Sequence, residues 1–183
     1  MWATGTELAA MIQRRQVTSA AALRILLARV QRLNPALNAV VILDEARATA
    51  RAVEADVATA RGECWGPLHG VPMTVKENNA VAGLDATTGD AALVGKPSAR
   101  DEPMVARLLA AGAVIFGKTN LPVMTADWQS YNDVYGATSN PWDLGVSPGG
   151  SSGGSSAALA AGFCPLEYGG DQGERDRGFR GLT

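Results

Sequence analysis

The sequence predicts an α/β layered fold, a central β-sheet flanked by helices, and three observations carry that prediction. Short apolar runs, VVIL at Val40–Leu43 and AVIF at Ala113–Phe116, have the length of buried strands. Between them apolar residues recur at the spacing of amphipathic helices. The two kinds of element alternate along the chain, as they must where helices cover the faces of a sheet.

Taken in order, Thr18 or Ser19 caps a helix whose Leu23, Leu26, Leu27, Val30 and Leu33 fall on one face, and Asn34-Pro35 is expected to stop it. After the Val40–Leu43 strand, Ala46, Ala50, Val53, Val57 and Ala60 mark the inward face of a second helix, ended by Gly62. A third helix is predicted over Asp101–Ala111, with Met104, Val105, Leu108 and Leu109 inward, and Gly112 breaks it before AVIF. Ala157–Ala161 is a good helix former, and FCPLEYGG reads as a further strand. No internal repeat is visible. The final ERDRGFRGLT loses all apolar periodicity.

The chain has 183 residues, 46% hydrophobic and 19% charged, enough for one domain with a substantial core. Its net charge of −2 gives no electrostatic reason to expect nucleic acid. MWATGTELAAMIQRRQ lacks the layout of a signal peptide, and no run approaches the roughly 20 apolar residues that span a bilayer. No nucleic acid or membrane partner is therefore expected, and the predicted location is cytoplasmic. Cys64 and Cys164 are a hundred residues apart without CxxC spacing, so they read as buried free thiols rather than a zinc site or disulfide.

Two motif matches are refused on physical grounds. Gly112–Thr119, GAVIFGKT, satisfies the phosphate-loop pattern, but Ala-Val-Ile-Phe is a strand that wants burial rather than a loop presenting N–H groups to an anion. The following Asn120-Leu121-Pro122 also blocks an immediate helix. Gly149–Gly153 fits a nucleophile elbow, yet the sole histidine, His69, lies far upstream, where a downstream base is needed. His69 reads as a packed or hydrogen-bonded loop residue, and Trp128 and Trp142 as packing aromatics.

The stretch Ser147–Ser156, SPGGSSGGSS, holds four glycines and five serines, the composition of a flexible linker or of a tight catalytic turn. Without a histidine, a serine here needs a lysine held neutral as its base. That requires destabilising the ammonium by roughly 4 kcal/mol through burial. Lys76 is the candidate, because Val71, Pro72, Met73 and Val75 build an apolar approach to it. The ordinary alternative is a surface lysine ending a strand.

Three segments decide between these readings when taken together: GPLHGVPMTVKEN at Gly66–Asn78, GKTNLPVM at Gly117–Met124, and YGATSNPWDLGVSPGGSSGGSSAALAAG at Tyr135–Gly162. In order and spacing they resemble the amidase signature family of amide hydrolases, over nearly the whole chain up to about Asp171. The resemblance implies a layered fold with a central mixed sheet. It also implies a catalytic lysine at Lys76 and a bridging serine, preceded by a cis peptide bond, at Ser151. Ser152 becomes a supporting residue, the region around Met124 and Thr125 faces substrate, and Asp171, Gln172 and Gly173 fall in the oxyanion region. No metal or organic cofactor is implied; the partner is a small-molecule amide. A link to glutamine-dependent transamidation of transfer RNA exists in the family, and nothing in the sequence selects it.

One departure bears on activity. Where the family carries its attacking serine, in a segment like D-I-G-G-S-I-R, this chain reads Asp171-Gln172-Gly173-Glu174-Arg175-Asp176-Arg177, and no serine follows Ser156. Arg175 cannot attack a carbonyl, and Glu174 replaces an oxyanion-region glycine. Residues 1–170 are thus expected to be the N-terminal portion of one amidase domain, truncated after the catalytic turn, and residues 171–183 a divergent tail. A frameshift accounts for both facts, since codons for Asp-Arg-Gly-Phe-Arg, read two nucleotides on, give Ser-Arg, a variable residue, then Pro. The chain as given is then a catalytically dead amidase. The alternative is a non-catalytic binding or scaffold remnant.

Overall fold

The computed structural model describes residues 3–170. Among these the element order is α1 (Gly5–Gln13), α2 (Ser19–Leu37), β1 (Val40–Leu43), α3 (Glu45–Ala60), β2 (Pro72–Lys76), α4 (Pro103–Ala110), β3 (Val114–Thr119), β4 (Tyr131–Asn132), β5 (Gly136–Ala137), α5 (Gly153–Ala160) and β6 (Glu167–Tyr168). The main sheet has the order β1-β3-β2-β6, with β1 antiparallel to β3 and the other pairs parallel. It is the mixed sheet flanked by helices that the sequence predicts. A separate hairpin joins β4 to β5.

One face of the sheet carries Val114 and Phe116 against α2, α3 and α5, with Leu23, Leu27, Val30, Ala157, Ala158 and Phe163 completing that core. The other face carries Met73, Val75 and Ile115 against α4 and the loop holding Val81. Burying a large side chain in such a layer contributes about 1.5–3 kcal/mol. A bulge sits between them: Met73 pairs with Ile115 but Thr74 pairs with Gly117, leaving Phe116 as the extra residue. From that point the alternation of β3 is inverted. Lys118 lies beside Val75, on the α4 side, and Thr119 beside Lys76, under α5.

Several expectations change in the structure. α2 does not stop at Asn34-Pro35 but runs to Leu37 with Pro35 inside it. The proline sits in the last turn, where it removes a single hydrogen bond. Asn38 closes the helix in the left-handed region at φ 50°, its N–H donating to Asn34 O at 2.7 Å. The Asn34 side chain then accepts from Ala39 N and Val40 N, both at 2.9 Å, and steers the chain into β1.

The inward face of α3 is Ala48, Ala52, Ala55 and Ala58, whereas Ala46, Ala50, Val53, Val57 and Ala60 are exposed. The small methyls of this stripe pack against α2 and β3, whereas the more apolar stripe with Val53 and Val57 is left exposed. Met104 is exposed while Val105, Leu108 and Leu109 pack inward. Cys64 is exposed; Cys164 is buried. Trp128 and Trp142, expected to pack, are 69% and 78% exposed. FCPLEYGG forms only the two-residue β6. The helix α1 has no counterpart among the expected elements; a capping box between Thr4 and Glu7 starts it, a signal the first residues do contain.

No helix among the described residues is long and apolar enough to cross a membrane. Within GAVIFGKT, Val114–Thr119 is strand β3, not a loop, and its Lys118 is fully buried. His69 is buried and hydrogen-bonded as expected: its Nδ1 accepts from Trp65 N at 3.1 Å, so Nε2 carries the proton toward Ala55 O at 3.1 Å and lies 2.8 Å from Thr59 Oγ1.

Candidate active site

Lys76 is the last residue of β2, delivered by a strand whose five residues are all buried. It is 1% exposed. Its Nζ lies 2.7 Å from Ser151 Oγ and 3.0 Å from Gly170 O. Ser151 is likewise buried, two residues ahead of α5, and the Gly150–Ser151 peptide bond is cis. The stretch Ser147–Ser156 is therefore a folded turn with its lysine partner in place.

The glycines of this turn permit close approach of backbone to backbone. A Cβ on Gly150 would overlap the backbone of Gln129, and one on Gly154 the backbone of Asn120. Ser130, which the sequence pattern does not single out, clasps both sides of the turn: its hydroxyl donates to Gly149 O at 3.0 Å and accepts from Gly153 N at 2.9 Å. Ser152 Oγ donates to Gly170 O at 3.0 Å, so the carbonyl of Gly170 receives both Lys76 and Ser152.

Met124 and Thr125 occupy a neighbouring turn after β3. Both have left-handed backbones, at φ 53° and 55°; Met124 is exposed and Thr125 buried. Met124 N donates to Thr88 O at 2.8 Å, and Thr88 Oγ1 to Met124 Sδ at 3.4 Å. Asp171, Gln172, Gly173 and Arg175 lie outside the described residues.

Two buried charged groups near Lys76 are not among the residues that the sequence motifs point to. Glu77 accepts from Thr87 N at 2.6 Å, Thr87 Oγ1 at 2.9 Å, Thr88 N at 2.9 Å and Tyr135 OH at 3.1 Å. It thereby fixes the segment that holds Met124. Burial, with Glu77 and Asp85 adding to it, pushes the Tyr135 phenol up to about 12. Lys118 donates to Asp85 O, and desolvation lowers its amine to about 8 against the pull of Glu77, Asp85 and Glu102. The available signal for both groups was a charge set beside or within an apolar run. Among the described residues no cluster of His, Cys, Asp and Glu is arranged to hold a metal ion.

A family model described as Amidase matches residues 21–174. This chain belongs to the amidase family. Its relatives include an acylamidase of Rhodococcus erythropolis, 41% identical over 93% of this chain and 36% of that protein. Another is a glutamyl-tRNA(Gln) amidotransferase subunit from Acidothermus cellulolyticus, 41% identical over 93% of this chain and 34% of that protein. Among solved amidases, the native peptide amidase of Stenotrophomonas maltophilia superimposes with a TM-score of 0.84 at 33% identity, covering 90% of this chain and 35% of the other. A bacterial aryl acylamidase of the amidase signature family gives a TM-score of 0.87 at 28% identity, over 91% and 35%. The chain spans about a third of the length of the curated amidase relatives it matches.

Proposed function

We propose that Lys76 and Ser151 are the base and proton relay of an amide-hydrolysing acyl-transfer site. The observation that carries this reading is the 2.7 Å contact between an amine and a hydroxyl that are both buried. Burial disfavours the ammonium, and a neutral amine at this distance can accept the Ser151 proton. In the forward step the Ser151 O–H bond breaks as an N–H bond forms on Lys76. Ser151 in turn takes the proton of an attacking hydroxyl while that oxygen bonds to the amide carbonyl carbon. Reversal of the relay returns the proton to the departing amine, and water then releases the acyl group.

The attacking hydroxyl is the part this chain does not supply, because Arg175 stands at the position the family resemblance assigns to it. The 183-residue chain is accordingly proposed to hold the proton-transfer half of the site without turning over amides itself. Its substrate class is a small amide, in keeping with the acylamidase and peptide amidase among its relatives.

The test joins residues 1–170 to the remaining part of the Rhodococcus acylamidase and assays hydrolysis of an acylanilide. The chimera is expected to hydrolyse it, and Lys76→Ala or Ser151→Ala to reduce the rate by roughly 1,000-fold or more. Activity untouched by Lys76→Ala would remove the base assignment. Turnover by the purified full chain would remove the assignment of Arg175 to the nucleophile position. Should the chimera not fold, titration of Lys76 in the chain itself tests the base: a midpoint equal to that of an exposed lysine counts against it.

A further inference from the structure

Behind the Lys76–Ser151 pair the sheet holds a second acidic group that the mechanism above does not use. Glu167, on the edge strand β6, is half-buried as a residue, but its carboxyl turns inward to three hydroxyls from three elements. Oε1 accepts from Thr119 Oγ1 of β3 at 2.8 Å and from Ser155 Oγ of α5 at 2.9 Å, and Oε2 accepts from Thr74 Oγ1 of β2. The strand register explains the convergence. Thr74 pairs with Glu167 and Lys76 with Thr119, and paired residues of neighbouring strands point to the same face. Thr74 and Lys76, two apart on β2, share that face as well. Glu167 and Lys76 thus stand on one side of the sheet under the start of α5.

We infer that Glu167 is a positioning residue for Lys76: its fixed carboxylate stabilises the ammonium that Lys76 becomes on taking the Ser151 proton. The inference rests on the base-and-relay reading. A carboxylate fixed by hydrogen bonds on the same face of the sheet as a buried base favours the protonated form of that base through its charge. Burial raises the Glu167 carboxyl to about 6, and the three hydroxyls and the Lys76 charge act in the opposite direction. The other titratable group against it is the Cys164 thiol, 3.9 Å away, which burial and Glu167 hold in its neutral form. From β3 and α5 it meets only the uncharged hydroxyls of Thr119 and Ser155 among the described residues.

The chain has three lysines, Lys76, Lys96 and Lys118, so labelling lysine with ¹³C gives three side-chain signals to follow by NMR as pH is varied. Glu167→Gln is expected to lower the proton affinity of Lys76 by about tenfold. Ser155→Ala, which opens the same cage without removing the charge, is expected to leave the Lys76 midpoint in place. An unmoved midpoint in Glu167→Gln, or an equal shift in Ser155→Ala, overturns the inference. If Glu167→Gln does not fold, the wild-type titration decides: the Lys76 signal is expected to carry a second inflection at about pH 6, and its absence overturns the inference equally. A wild-type Lys76 that titrates like a freely exposed lysine defeats the neutral-base reading instead, so the two failures are distinguishable.

Discussion

Gly154 lies backbone against backbone on Asn120, its N–H donating to Asn120 O at 3.2 Å. Asn120 follows β3 directly and in turn binds Gly136 O and Thr138 Oγ1 through its amide, both at 3.0 Å. This contact sets the first turn of α5 on the sheet and so places Ser151 above Lys76. A methyl group at position 154 has no room beside the Asn120 backbone. Gly154→Ala is expected to cost about 2 kcal/mol or more in urea denaturation. A cost below a few tenths would show that α5 is free to shift and does not fix Ser151.

Glu77 is predicted to be the fastening point of the turn that carries Met124. Glu77→Gln presents an amide N–H₂ to donors that now find a carboxylate, leaving buried groups unpaired, at an expected cost of about 2–4 kcal/mol. Hydrogen exchange checks the mechanism, because the Thr87, Thr88 and Met124 amides should lose protection before the amides of β2. Uniform loss across the sheet would point to global destabilisation instead. Tyr135→Phe removes one of the four hydrogen bonds and should cost about 1 kcal/mol.

The lowered amine of Lys118 gives the fold a pH dependence whose sign is fixed. Its folded value is about 8 against 10.5 for the free side chain, so between those values the unfolded chain binds the extra proton. Stability from this group therefore rises with pH across that window, at about 1.4 kcal/mol per unit, and is flat below about 8. The raised Tyr135 and Cys164 act in the opposite direction at alkaline pH, so the comparison is made with Lys118→Met, in which both are retained. The difference between wild type and variant should grow in favour of wild type from about pH 8 to about pH 10. A constant difference would mean that Lys118 keeps its ordinary proton affinity.

Asp56 should hold the start of α2 against α3. Its carboxylate accepts from Ser19 N at 2.6 Å and Ala20 N at 3.1 Å, two first-turn donors that the helix cannot satisfy itself. Asp56→Ala is expected to lower stability by about 1–2 kcal/mol at low salt, and Asp56→Asn by less. Equal losses in the two variants would show that the hold depends on charge alone.

By itself the sequence determined the apolar strands, the amphipathic helices and the ordered Gly/Ser turn with Lys76 as its partner. These depend on local spacing and on the motif segments Gly66–Asn78, Gly117–Met124 and Tyr135–Gly162, each contiguous in the chain. Tertiary structure alone decided which stripe of α3 faces inward: hydropathy favours the stripe with Val53 and Val57, yet the alanine stripe Ala48, Ala52, Ala55 and Ala58 is the one that is buried. It decided also where the charges of β3 go. Strict alternation would place Lys118 with Phe116, yet the bulge opposite Met73 and Thr74 turns Lys118 away from Ser151 and brings Thr119 to Glu167 instead. A bulge is a mismatch between two strands that lie far apart in the chain, so its effect on which face a side chain takes arises only when both strands are in register.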